Sequence, residues 1–237
     1  MIPPRGGLPR EVTISTFADA SPTGLVPLFP LPEVTLLPGE MFPLYVFEPR
    51  YRQLLEDAQD GERLIALPRF QPGWREAYHA NPLVHPCLGV GRIAAARPRP
   101  DGTSDVVLHG VARVRLLEVV REMPYRLARV DDLDEAVSDP ARLAEIVAEI
   151  DERLREDAAG PIAPGSALEA LGGRLAEIPG RLAATCRFSS DEKQRMLEAD
   201  DLVERLELVR RHLARRKGRE RVSRLLAGHG SAGGSAN

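Results

Sequence analysis

Val26–Tyr51 reads VPLFPLPEVTLLPGEMFPLYVFEPRY, and this stretch decides the fold class. Three short apolar runs are closed by prolines or by a turn pair. Val26–Phe29 stops at Pro30 and Pro32, and Val34–Leu37 stops at Pro38-Gly39, a strong turn dipeptide. Met41–Phe47 is the third run, with Pro43 near its start, as suits an edge strand or a bulge. Pro49 then stands where a helix can begin, with Tyr51, Leu54 and Leu55 as its apolar face.

The strand-and-turn character continues to about Leu133. Arg63–Phe70, Cys87–Ala96, Val106–Val120 and Tyr125–Val130 read as strands, and Pro100-Asp101-Gly102 reads as a hairpin turn. Val106, Leu108, Val111, Val114 and Leu116 do not alternate cleanly, and Gly110 at the break predicts a bulge. After Ser138 the period becomes helical. Asp139-Pro140 is a start signal, and Leu143, Ile146, Val147, Ile150 and Leu154 share one face. Leu168–Leu182 is a weaker helical stretch, interrupted by Gly172-Gly173 and Pro179-Gly180. Ser189 and Glu192 form a capping box before a short helix, Asp191–Leu197. Leu202, Leu206, Val209 and Leu213 form the stripe of a final long helix. Strands followed by helices imply an α+β fold. The expected division is an N-terminal arm over 1–24, a β-rich part over 25–133, a helical part over 138–227 and a tail over 228–237.

The 237 residues are 43% hydrophobic and 28% charged, enough to bury a core without disulfides or metal. A formal charge of -3 gives no global pull toward nucleic acid or membrane. No signal-peptide core and no run of about 18 apolar residues is present. Cys87 and Cys186 make no disulfide framework and suit a reducing, cytoplasmic setting.

The opening block carries more than composition. Pro27-Leu28-Phe29-Pro30-Leu31, Leu36-Leu37-Pro38-Gly39, Pro43-Leu44 and Phe47-Glu48-Pro49-Arg50-Tyr51 resemble the start of the Lon substrate-binding domain family. Gly89-Val90-Gly91-Arg92-Ile93, Gly110-Val111-Ala112-Arg113-Val114, Pro124-Tyr125-Arg126-Leu127-Ala128 and Lys193-Gln194-Arg195-Met196-Leu197-Glu198 follow in the family's order. The resemblance implies a PUA-like, six-stranded β pseudo-barrel with a helix, then a helical bundle. It also implies recognition of proteins or peptides without catalysis, as an adaptor in protein quality control.

The residues give the same exclusions. A phosphate-cradling loop needs Gly-Lys-Ser/Thr, but Lys193 precedes Gln194 and Lys217 precedes Gly218. A Ser–Lys dyad needs a desolvated lysine, and both lysines are expected in solvent. His79, His85 and Cys87 are too loosely spaced for zinc. Cys87 and Cys186 fall in apolar settings that suit packing better than nucleophilic catalysis. Gly89-x-Gly91 lacks a third glycine and suits a close backbone approach inside a strand. No catalytic residue, cofactor or metal is therefore expected.

For binding, Leu36, Leu37, Met41 and Phe42, with Trp74 and Tyr78 in the long connection Gln71–Pro86, are the candidate contacts for exposed apolar protein segments. Pro38, Gly39, Phe47, Glu48, Pro49, Arg50 and Tyr51 are expected to build the frame, with helix-start chemistry accounting for Glu48–Tyr51. Residues 210–224, RRHLARRKGRERVSR, hold Arg210, Arg211, Arg215, Arg216, Lys217 and Arg219. They offer either a nucleic-acid or acidic-partner surface, the basis of an RNA-binding alternative, or a solvated helix end that completes the dipole.

Overall fold

A computed structural model describes residues 24–76, 82–157 and 174–215. Six strands come first: β1 (Leu25–Pro27), β2 (Met41–Val46), β3 (Leu64–Leu67), β4 (Cys87–Pro98), β5 (Ser104–Arg121) and β6 (Leu127–Asp132), with α1 (Pro49–Asp60) between β2 and β3. The helices α2 (Pro140–Asp157), α3 (Ile178–Cys186), α4 (Ser190–Glu198) and α5 (202–215) follow. A 3-10 turn, Leu175–Glu177, leads into α3.

All six strands pair antiparallel in the order β1-β6-β5-β4-β3, and β2 pairs with β5 off that path. β5 is the long central strand: Met41–Val46 lies along Ser104–His109, and β6 lies along its far half. Ladder pairing does not close the sheet. Just past β1, parallel bridges Leu28↔Ala66 and Leu31↔Arg69 span the gap to β3. The expected bulge is present, because Val90 faces Ala112 while Gly91 faces Gly110.

Val34–Leu37 is not a strand. It crosses the sheet as irregular chain, and Leu36 and Leu37 are fully buried. Two glycines permit the crossing. A Cβ on Gly89 would stand 1.9 Å from the Leu36 carbonyl oxygen, and one on Gly110 would stand 2.0 Å from that of Leu37. On the helical side, a Cβ on Gly180 would meet the Pro38 carbonyl oxygen at 2.0 Å. Pro179 does not interrupt its helix, because it lies in the first turn of α3, where the missing N–H costs nothing.

The apolar pattern sorts into three cores. Ile146, Ile150, Leu182, Leu202, Leu206, Val209 and Leu213 pack with Leu37 between the helices. Phe29, Leu36, Leu44, Tyr51, Leu54 and Leu108 pack beneath α1, and Val26, Leu28, Leu88, Val90 and Val114 fill the other side of the sheet. The 3.6-residue stripes of the later helices fill the first core, α1 and the strands share the second, and Leu36-Leu37 stands at the corner between those two. Start signals act as expected: Asp139 accepts the Arg142 N–H at 2.9 Å, and Ser189 and Glu192 form the reciprocal capping box.

Candidate functional site

β2 has one ladder neighbour, β5, and its other edge is open among the described residues. Leu44 and Val46 point into the core, while Met41, Tyr45 and Phe47 are 55%, 46% and 57% exposed. Such a row is unusual, since large apolar side chains normally bury most of their surface. The Tyr45 and Phe47 rings stack at 5.8 Å between centroids, and the Arg99 guanidinium lies 5.0 Å from the Tyr45 ring. Beside the row runs a groove of about 270 Å³, walled by Phe29, Leu31 and Val34 on one side and Phe42, Leu44 and Phe47 on the other.

α4 fastens the helical half against this frame. Lys193 forms an ion pair with Glu40, which also accepts the Leu37 N–H. The lysine expected in solvent is therefore largely buried, 13% exposed, because Glu40 stands opposite it across the junction. Gln194 is hydrogen-bonded to the Thr35 hydroxyl, the Cys87 carbonyl and Glu198. Glu198 also meets His85 Nδ1 at 3.1 Å. Met196 and Leu197 enter the helical core.

Deeper in the junction, Arg113 and Arg205 are 0% and 1% exposed and share Glu135. Arg113 donates to the carbonyls of Leu197 and Ala199, both at 2.8 Å, and Arg205 donates to that of Ala199 at 3.1 Å. Two buried guanidinium groups face one carboxylate, and the negative end of α4 supplies the remaining compensation. Burial pushes the Arg205 pKa down from its ordinary value, against the opposing pull of Glu135.

The expected contacts fare unequally. Leu36 and Leu37 are core residues, sealed beneath the sheet and the helices, and offer no surface. Met41 is exposed and Phe42 half-buried, so these two stand at the open edge. Trp74 is half-buried against Phe70, ring centroids 5.5 Å apart, and Tyr78 lies outside the described residues. Among the frame residues, Pro38 and Gly39 form the turn and Pro49 starts α1. Glu48 pairs with Arg50 at 2.8 Å, and Tyr51 packs inward. Phe47 is the exception, since it projects outward with Tyr45. Tyr45 was absent from the expected contacts, although its alternation with Leu44 and Val46 carries the signal for its direction.

The basic stretch is partly spent internally. Arg210 pairs with Glu207 and Glu149, Arg211 with Glu207, and Arg215 is exposed. Arg216, Lys217 and Arg219 lie outside the described residues, as does His79. Cys87 and Cys186 are buried free thiols, and burial raises the Cys87 pKa. Among the described residues no cluster of three metal-ligating side chains occurs, and no helix is long and apolar enough to cross a membrane.

The fold and its junction define an α+β domain in which one helix, α4, locks a six-stranded antiparallel sheet to a helical half. A family model for the ATP-dependent protease La (LON) substrate-binding domain matches residues 25–215, and the chain belongs to that family. The Lon protease of Dictyoglomus thermophilum is 28% identical over 201 residues, covering 81% of this chain and 24% of that protein. Lon protease 2 of Myxococcus xanthus is 28% identical over 204 residues, with the same two coverages of 81% and 24%. The chain thus spans about a quarter of the length of these curated relatives. The crystal structure of a Lon N-terminal domain protein from Xanthomonas campestris superposes with a TM-score of 0.55 at 24% identity, covering 78% of this chain and 96% of that one. The N-terminal domain of the Mycobacterium avium complex Lon protease gives 0.58 at 15% identity, covering 80% and 98%. Both likenesses are of fold.

Proposed function

We propose that this protein recognises exposed apolar segments of other polypeptides and acts without chemistry of its own, as an adaptor in protein quality control. The observation that carries this reading is the row of exposed Met41, Tyr45 and Phe47 beside the Phe29–Val34 groove. Membership of a substrate-binding domain family supports it. An apolar patch held on a rigid strand binds weakly and broadly, because desolvation drives association and few polar groups impose selectivity. The two free thiols suit a reducing compartment such as the cytoplasm.

The test is a titration of a carboxymethylated, permanently unfolded protein into the purified chain, followed by fluorescence anisotropy. Saturable binding is expected, weakened about tenfold or more by the double substitution Tyr45→Ser and Phe47→Ser. Both side chains are about half exposed, so the melting temperature should stay within about 2 °C. Absence of binding at high concentration, or equal binding by the double variant, would refute the reading.

A further inference from the structure

Hydrogen bonding along β2 shows which backbone groups the open edge presents. The Gly110 N–H donates to the Glu40 carbonyl at 2.8 Å and the Gly110 carbonyl accepts from the Gly39 N–H at 2.8 Å, so Gly39 and Glu40 together, as a bulge, take the bonded place opposite Gly110. Antiparallel pairs alternate between bonded and non-bonded, so Phe42, Leu44 and Val46 direct their backbone groups toward β5. Met41, Pro43 and Tyr45 direct theirs away from it. Pro43 has no N–H, and a proline within a sheet belongs where the missing donor faces outward. No backbone bond outside the β5 ladder reaches Met41–Val46 among the described residues. The open edge thus offers N–H and C=O at Met41, C=O alone at Pro43, and N–H and C=O at Tyr45.

We infer that β2 takes its polypeptide partner by strand addition, the occupant being an extended segment with apolar side chains at alternate positions. This rests on the reading above and specifies how that site grips. The partial charges of this edge, donor and acceptor at both ends and an acceptor between, match an extended backbone, which carries the opposite series at the same spacing. An added antiparallel strand exchanges both bonds at Met41, gives one N–H to Pro43 and exchanges both at Tyr45. Its side chains then fall alternately on two apolar surfaces. One set lies over Met41, Tyr45 and Phe47, and the other enters the groove of Phe29, Leu31 and Val34. Main-chain bonds give this mode an affinity that depends little on sequence, and the alternating contacts fix the register.

Backbone methylation separates this mode from side-chain docking. The probe is a fluorescein-labelled peptide of alternating valine and threonine with a lysine at each end, titrated with the full chain by anisotropy. Two further peptides carry N-methyl groups, one on the threonine nitrogens and the other on the valine nitrogens. Side chains are identical throughout, and each peptide loses one alternate set of donors. With the valines in the groove, the threonine nitrogens face β2. Methylating that set should weaken binding by about ten- to a hundredfold, while the valine set changes it less than about threefold. A clear difference between the two sets supports strand addition. Equal affinities, or no binding of the parent peptide, would overturn it. If unfolded protein still binds in that case, recognition of apolar segments stands and the grip is through side chains. If unfolded protein also fails to bind, the proposed function fails as well.

Discussion

Replacing Glu135 by glutamine tests whether the junction depends on its single carboxylate. Glu135 meets Arg205 at 2.7 Å and Arg113 at 3.3 Å, and its side chain is 9% exposed. Glutamine keeps the volume and one acceptor oxygen but removes the charge. Arg113 and Arg205 would remain in place, facing only neutral acceptors: the carbonyls of Leu197, Ala199 and Asp134 and the one amide oxygen. Breaking a buried pair by removing one partner costs about 3–5 kcal/mol, because a charge is left uncompensated in a medium that solvates it poorly. At about 2–4 °C per kcal/mol for a domain of this size, the melting temperature should fall by about 6–20 °C. Thermal unfolding followed by circular dichroism at pH 7 gives the number. A triple variant, Glu135→Leu with Arg113→Met and Arg205→Met, should regain most of the loss, since a packed apolar junction needs no compensation. A melting temperature for Glu135→Gln within about 2 °C of the parent would refute this account of the junction. It would mean that the α4 carbonyls alone hold both cations.

Gly110→Ala should destabilise by more than about 3 kcal/mol and lower expression of folded protein, because its Cβ would lie 2.0 Å from the Leu37 carbonyl oxygen, in rigid backbone; urea unfolding measures the loss. Stability should also fall below about pH 4. Burial alone would push the Glu192 carboxyl up, but the hydrogen bonds from His212 and Ser189 outweigh it and hold it below its usual range. Hydrogen bonds from Tyr125 and Gln53 lower Asp57, and those from Arg210 lower Glu207. A depressed carboxylate contributes stability that is present above its unfolded value and lost as pH falls through its folded value, so the melting temperature should be level in this respect from pH 6 to pH 5 and decline below about pH 4. A melting temperature that rises on acidification through that window would contradict the assignment.

The helical half was the more legible part of the sequence. Leu202, Leu206, Val209 and Leu213 are all 4% exposed or less, because a 3.6-residue stripe has one face to bury and one way to bury it. Caps were legible for the same reason: Ser189 and Glu192 satisfy donors that lie within one turn. The family blocks along the sheet were legible as a series, and their chemistry was not. Gly89 and Gly110 stood out as glycines, yet what they admit, the chain at Leu36-Leu37, is distant in sequence. Arg113, Arg205 and Glu40 gave no local sign of burial. Charged side chains are usually outside, and only the meeting of β5, α4 and α5 creates their compensation. The open edge was half legible. Pro43 marked an edge strand, and Met41 and Phe42 do lie on it, but Leu36 and Leu37 share their apolar character and are buried in the core. Direction follows from strand alternation at Met41–Val46, and Leu36-Leu37 has no strand to alternate in.

The passage of Leu36–Pro38 between sheet and helices has a consequence for how the molecule comes apart. Its carbonyls rest on Gly89 and Gly110 from the sheet and on Gly180 from α3, so one stretch of main chain is gripped from both halves. Neither half can loosen without releasing that stretch, and releasing it opens the other half too. The described region should therefore melt in a single cooperative transition, with amide hydrogens of β4 and α3 exchanging at the same global rate. A protease should accordingly find no trimmed, half-sized intermediate to accumulate. The three glycines work less as turns than as a keyhole through which one strand of chain bolts two layers together.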